Sequence, residues 1–427
     1  MATSEFARLP GFRDFPPEDF ALRSHIQESW RRVSRRYGFL EYDGPPLEPL
    51  GLYVEKSGEE IVAQLYHFTD KGDREVAMRP EMTPSLARIL GERSRGLSKP
   101  IRWFAMPQLF RYERQQRGRL REHYQWNVDL VGEAGVSADS EIVAIAIDGL
   151  RALGLTSEDF AARVSDRRLL VALLRVIGVE EARLPAAFVV IDKIERMPPE
   201  KAVKTLRTEV GLDEEQVSTL MGLLDSTSLD ALAEGFGGDR GVAPELDRLR
   251  EYFASLEAMG LADFVQLDLR IVRGLAYYTG IVFELFDRRG ELRAICGGGR
   301  YDRLLELVGG EPLPAVGFGM GDVVLGELLH DRGLVPAYSR DLDYFIVPVT
   351  PALKNESLRI AQALRERGHS VAYALKEQAV AKQMKAATRE GARTVLVVGP
   401  EEIERGCVVA RDMASGEERE VPLSDFG

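Results

Sequence analysis

"RYERQQRGRLREHYQWNVDLVG", residues 111–132, joins two patterns in one short stretch. Its first half carries five arginines, Arg111, Arg114, Arg117, Arg119 and Arg121, within eleven residues. Its second half alternates, with Gln125, Asn127 and Asp129 interleaved among Trp126, Val128 and Leu130. Successive side chains of a strand point to opposite faces, so this period of two predicts a polar wall backed by core. Upstream, "IRWFAMPQLFRYE" (101–113) has strand composition as well. Together they predict a long-armed hairpin with an arginine-rich loop. The chain around it is acidic, at formal net charge -12 over 427 residues. Net acidity opposes indiscriminate attraction to nucleic acid but leaves room for a local phosphate-facing patch.

Working outward, residues 18–37 read as an amphipathic helix ending at Gly38. "GFLEYDGPPLEPL" reads as a strand interrupted by Gly44, Pro45 and Pro46, and "EVAMR" (75–79) as a short strand. Thr83 resembles an N-cap with Pro84 at the first helical position. Glu81 and Thr83 would then sit where a strand feeds a helix, a place suited to a small charged ligand. A helix is expected over about 138–153. Residues 166 to about 261 are helical in character, rich in Leu, Glu and Arg. Strand character returns over 264–287, followed by "CGGGRYD" and "AVGFGMGDVVLGELL". Beyond a linker near 331–341, "YFIVPV", "SVAYAL" and "TVLVVG" alternate with helical stretches, which predicts a small open α/β sheet.

At 45% hydrophobic the chain can bury ordinary cores. Its longest apolar runs are too short to span a bilayer, and the N-terminus lacks the basic-then-apolar pattern of a signal peptide. Two distant cysteines, Cys296 and Cys407, suit a reduced, cytoplasmic protein rather than a disulfide scaffold. Five histidines, no two at helical ligand spacing, argue against a zinc site, so no metal is expected to be held by the protein alone.

Three strings together, "FRYERQQRGRLREHYQWNVDLVG", "RIVRGLAYYTGIVFE" and "GGGRYD", resemble the histidyl-tRNA synthetases, a class II aminoacyl-tRNA synthetase family. "RPEMTPSLAR" fits that family's substrate segment, and the likeness runs over nearly the whole chain. The resemblance implies an α/β fold with an α+β catalytic core: an antiparallel class II sheet flanked by helices, a helical insertion and a C-terminal open α/β anticodon-binding domain. The corresponding boundaries are 1–165 and 262–330 for the catalytic domain, 166–261 for the insertion and 338–427 for the anticodon-binding domain. It further implies a homodimer whose interface includes the first motif, here around Pro45. The implied reaction joins L-histidine and ATP into histidyl-adenylate and pyrophosphate, then transfers histidine to the 3' end of tRNA(His), with Mg²⁺ on the phosphates.

Carried over residue by residue, the likeness assigns Arg111 and Arg273 to the α-phosphate as catalytic groups. Glu113 and His123 join them in ATP binding. It places Glu81, Thr83 and Gln125 at the histidine ammonium, and Asp129, Tyr277 and Tyr278 around the imidazole. Gln116, Arg117 and Arg119 fall in the loop toward the tRNA acceptor end. A neutral imidazole offers one donor and one acceptor nitrogen, which a carboxylate and a phenol match. Lys382, Lys385 and Arg389 form a basic stripe suited to the anticodon stem.

The chain departs from the family pattern in three places. Val323 and Val324 stand where the third motif ends in Glu-Arg, His123 replaces an adenine-stacking Phe, and Ala276 replaces an Asp. Members of the plant-organelle type look similar at these positions. A noncatalytic paralogue, such as the regulatory subunit of ATP phosphoribosyltransferase, is the alternative. It predicts loss of the charged groups and of the C-terminal domain.

Overall fold

In the computed structural model, which describes residues 6–57, 59–114, 116–273, 278–303, 305–306, 310, 312–338, 340 and 342–426, the alternating stretch is one strand, Glu122–Val131. Before it come α1 (Pro17–Arg36), β1 (Leu40–Glu41), β2 (Leu47–Pro49), α2 (Leu50–Ser57), β3 (His67–Thr69) and β4 (Glu75–Met78). Then follow α3 (Thr83–Arg93), β5 (Ile101–Ala105) and β6 (Gln108–Phe110), which makes the alternating strand β7. Next are α4 (Val136–Arg151), β8 (Phe160–Asp166), and the helices α5 (Arg167–Ile177), α6 (Leu184–Lys193), α7 (Pro199–Thr205), α8 (Glu214–Leu224), α9 (Leu229–Phe236) and α10 (Ala243–Ala258). β9 (Val265–Leu267), β10 (Ile281–Asp287), β11 (Cys296–Arg300), β12 (Ala315–Gly321) and α11 (Asp322–Asp331) complete the first of two compact units, Met1–Pro336.

Among the described residues, nine strands form the main sheet in the order β1-β5-β7-β12-β11-β10-β8-β9, with β6 on β7. The centre is antiparallel: Asp129 pairs with Gly317, Gly317 with Gly299, and Gly299 with Val282. The two edge pairings, β1 with β5 and β8 with β9, are parallel. On the back of β7, Trp126, Val128 and Leu130 are fully or almost fully buried, as the alternation requires. Trp126 stacks on Trp30 of α1 at 5.8 Å and donates its Nε1–H to Ser34 Oγ at 2.9 Å. α1 buries Ile26, Ser29, Trp30, Val33 and Ser34, the i, i+3, i+4 stripe of a helix lying on a core. α4 is buried on most sides because it lies between the sheet and α10, and only the narrow stripe of Ser137, Glu141, Asp148 and Arg151 stays in contact with solvent. A buried ion pair fixes its start: Arg300 Nη2 meets Asp139 Oδ2 at 2.7 Å, and the same guanidinium donates to the carbonyls of Glu133 and Gly135.

Three local expectations give way. Thr83 does not cap α3; it is the first helical residue, after Met82 in a helical conformation with no side-chain cap. The 101–113 stretch breaks at Met106-Pro107 into β5 and β6, since proline has no N–H for the ladder. Over 264–287 only β9 and β10 are strands, and the described part of the intervening segment leaves the sheet to carry Arg273 over its face. A separate small sheet, β2-β4-β3, lies beside α2 and α3.

The second unit, Ala337–Gly427, holds β13 (Leu342–Pro348), α12 (Lys354–Glu366), β14 (Val371–Tyr373), α13 (Val380–Arg389), β15 (Ala392–Val398), α14 (Pro400–Glu404), β16 (Cys407–Asp412) and β17 (Glu418–Pro422). Its sheet runs β14-β13-β15-β16-β17, parallel through the first three strands and antiparallel after.

Trp126→Ala should destabilise the first unit by about 3–5 kcal/mol, the scale for emptying a buried aromatic site. Urea unfolding followed by intrinsic fluorescence checks this, and a loss below about 1 kcal/mol would mean that the Trp30–Trp126 stack does not anchor α1.

Candidate active site

On the front of the sheet, β11 and β12 carry almost no side chains. Gly297 and Gly299 face the same side as Gly317, Gly319 and Gly321, while Phe318 and Met320 go to the back. The space left above them contributes to a cavity of about 980 Å³. Each glycine is fitted to a neighbour. A Cβ on Gly319 would come within 2.8 Å of the Gln125 amide, and one on Gly317 would overlap the Asp129 carboxylate and lie 2.7 Å from the Tyr301 hydroxyl. One on Gly297 would overlap the Arg273 guanidinium.

Arg111, Glu113, Gln116, Arg117, Arg119, His123, Gln125 and Arg273 all line this cavity. Arg111 leaves β6 at the start of the loop, and its Nε donates to Pro80 O at 3.0 Å, tying it to the segment of Glu81. Arg273 enters from the opposite side. Its Nη1 meets Glu284 Oε1 at 2.6 Å, flat over the Cβ-less Gly297. It holds φ +53, a left-handed conformation rare for a residue with a side chain. Such strain costs on the order of 1–3 kcal/mol and persists only where its surroundings fix it. Here Arg167 Nη1 donates to Val272 O at 2.9 Å and to Arg273 O at 3.3 Å.

Asp129, Tyr278 and Tyr301 form a second, more buried group. The Tyr301 hydroxyl donates to Asp129 Oδ1, and the rings of Tyr278 and Tyr301 meet edge-on at 6.4 Å. Arg273 lies 5.7 Å above the Tyr278 ring, so this group adjoins the arginine cavity. Tyr301, in "GGGRYD", is absent from the sequence reading; the string was visible, but the register that brings its tyrosine to Asp129 was not. Gln125 and Asp129 share the front face of β7 with Asn127 between them, as the alternation predicts. Tyr277 and Ala276 lie outside the described residues. Glu81 and Thr83 sit at the entry to α3, at the level of Arg111's bond to Pro80.

The loop is tied down at its tip. Glu113, read from sequence as an adenine contact, pairs with Arg119, read as a contact to RNA, so each neutralises the other. Arg117 meets Glu327 Oε2 at 3.1 Å and Asp331 at 3.5 Å, and the Gly118 N–H donates to Glu327 Oε1 at 3.1 Å. Thus the loop is fastened to α11, whose first turn carries Val323 and Val324. Asp322, the first residue of that helix, meets Arg13 Nη1 at 2.9 Å and accepts the Tyr124 N–H at 2.9 Å. Arg13 also holds Glu122 at 2.6 Å. Sequence reading missed this Arg13 bridge entirely, since its three members are brought together only by the fold. Burial, with Arg111 and Arg13 nearby, depresses the His123 imidazole to about 3, so it presents a neutral ring. No group of three or more metal-ligating side chains occurs among the described residues.

The histidyl-tRNA synthetase profile matches residues 11–321, and the profile of an anticodon-binding domain matches 343–427. The chain belongs to the histidyl-tRNA synthetase family. It is 45% identical to a histidine–tRNA ligase of Opitutus terrae, over 99% of this chain and 97% of that one. It is 43% identical to the chloroplastic/mitochondrial histidine–tRNA ligase of Arabidopsis thaliana, over 97% of this chain and 85% of that one. The crystal structure of a Nostoc histidyl-tRNA synthetase superposes with a TM-score of 0.85 at 24% identity, covering 99% and 98% of the two chains, and so shares the fold.

A neutral His123 implies a pH dependence of stability. Its folded value lies below the ordinary value of about 6.5, so its contribution is complete above that value and is lost as pH falls toward 3. Relative to His123→Phe, the wild type should lose on the order of 1 kcal/mol between pH 7 and 5.5. Urea midpoints at the two pH values test this; parallel losses in both proteins would refute the neutral ring.

Proposed function

We propose that the chain is a histidine–tRNA ligase, and that the convergence of Arg111 and Arg273 on one cavity beside the Asp129–Tyr301 pair carries this reading. In the first step a histidine carboxylate oxygen attacks the α-phosphorus, the bond to the β-phosphate oxygen breaks, and pyrophosphate leaves with the electron pair. Two anions must approach, so charge neutralisation and positioning dominate and no general base is needed. Arg111 and Arg273 supply fixed positive charge at the α-phosphate. In the second step a hydroxyl of the terminal tRNA ribose attacks the acyl carbon and AMP departs.

Asp129 has one oxygen engaged by Tyr301, which orients the other to accept the imidazole N–H. Tyr278 donates to the second ring nitrogen, while Glu81, Thr83 and Gln125 take the ammonium. Apolar amino acids would leave these groups unpaired and be rejected by that cost. His123 and Glu113 serve the adenine end, with Glu113 exchanging Arg119 for the base. Gln116, Arg117 and Arg119 face the acceptor end, and Lys382, Lys385 and Arg389 on α13 face the anticodon stem. Mg²⁺ would arrive on the ATP phosphates and offset their charge, with Glu284, beside Arg273 in the same cavity, as the carboxylate within reach; one or two carboxylates plus phosphates are its usual ligands.

A homodimer fits the small β2-β4-β3 sheet. Leu47, Pro49, Val76, Met78 and Phe68 share one of its faces, with Leu47 and Phe68 exposed. The cytoplasm fits two buried free cysteines and the lack, among described residues, of a helix long and apolar enough to cross a membrane. The noncatalytic alternative is not favoured, because the ligase relatives are similar over nearly their full length and the anticodon-binding domain is present.

Histidine-dependent ATP–pyrophosphate exchange tests the proposal, and its absence in the purified wild type would refute it. Arg273→Ala should lower kcat of exchange by roughly 10²–10³, the scale for a lost transition-state charge partner. Gly317→Ala should raise the KM for histidine about tenfold or more by displacing Asp129 and Tyr301, an overpacking cost of about 1–3 kcal/mol. An unchanged histidine KM would remove that pair from the binding site.

A further inference from the structure

The third motif ends in valine, yet the wall beside it is not short of charge. Arg293, in the turn between β10 and β11, lines the same cavity as Arg111, Arg119 and Arg273. Two of those three face carboxylates: Arg119 has Glu113 and Arg273 has Glu284. Arg111 donates to a backbone carbonyl. Arg293 is exposed and makes no ion pair or side-chain hydrogen bond among the described residues. Its placement is specific. A Cβ built on Gly118 would lie 3.1 Å from Val324 Cγ2 and 3.8 Å from Arg293 Cδ, so the loop tip, the third-motif valine and the Arg293 side chain meet at one point. Gly118 also has φ +70, and its backbone is held by Glu327.

This packing has two consequences. A long side chain at position 324 would have to displace the loop that closes on Val324. The Arg293 stem already reaches that place from the neighbouring turn. Burial, and then the like charges of Arg293 and Arg111, depress the Arg119 guanidinium, so Arg293 lies within electrostatic reach of the loop arginines. A polyanion entering between these guanidinium groups would relieve that repulsion. The α-phosphate is already served by Arg111 and Arg273.

We propose that Arg293 binds the β,γ-phosphates of ATP, supplying from the β10–β11 turn the guanidinium that the third motif lacks. The identity of the nucleotide rests on the ligase reading; the position of the charge does not. Arg293→Ala should raise the KM for ATP in histidine-dependent exchange about 10- to 100-fold, as expected for losing a charge-assisted hydrogen bond to phosphate. The KM for histidine should stay within about twofold, and Arg293→Lys should recover part of the loss. Direct titration provides a second readout: ATP affinity should fall in Arg293→Ala, while affinity for AMP, which lacks those phosphates, should not. An ATP KM within twofold of wild type overturns the proposal. So does an equal loss for ATP and AMP, a parallel rise in the histidine KM, or a defect confined to transfer onto tRNA, which would give Arg293 to the RNA. If the wild type shows no exchange, the ligase reading fails, and the ATP and AMP titrations still decide the role of Arg293.

Discussion

Strands β11 and β12 run through the middle of the sheet, where a chain would ordinarily place large β-branched side chains. Instead Gly297, Gly299, Gly317, Gly319 and Gly321 turn bare backbone to the front. Glycine in a strand is costly in backbone entropy and contributes no packing. The cost is offset on the other face, where Phe318, Met320 and Phe283 join the large core with α1, α4 and α11. Because the front is empty, Arg273 can lie against the sheet over Gly297, and Asp129 can reach Tyr301 across Gly317. Every other feature of the site depends on that removed layer.

The charges then follow a consistent pattern of pairing. Arg119 holds Glu113, Arg273 holds Glu284, and Arg117 holds Glu327 and Asp331. The exposed Arg117 pairs contribute little to stability, about 0–1 kcal/mol each, while Arg119–Glu113 and Arg273–Glu284 are partly buried. Their value lies in holding long side chains in place while keeping like charges from repelling one another. A substrate anion then exchanges one partner for another and need not create a cationic pocket from nothing.

Much of this was legible in residues 111–132. The alternation at 125–130 gave the buried back and polar front of β7, and the arginine run marked the loop. The glycine strands were far less readable. Period-two logic needs side chains to alternate, and the three glycines of "CGGGRYD" offer none, so nothing in the string marked a strand. Tyr301 was missed for the same reason. Thr83 has the residue type of an N-cap, but the backbone at Met82 is already helical, and the composition cannot report that. The Arg13 bridge to Glu122 and Asp322 joins α11 and β7 to the segment before α1, a contact that exists only once the sheet has formed.

That bridge also gives the two valines in the first turn of α11 a physical sense. Asp322 spans Arg13 and the Tyr124 N–H, which fixes the first turn of α11 against β7 without any contribution from the following two residues. Val324 is consequently free to be small and almost buried, and the loop tip at Gly118 closes onto it. Glu327, one turn further along α11, then secures the same loop through Gly118 and Arg117. With a long arginine at 324 the loop and helix would be held apart by that side chain; with valine they meet directly. Valine at 324 thus allows a close contact between helix and loop, and a guanidinium facing this wall comes from a neighbouring element, the turn that carries Arg293.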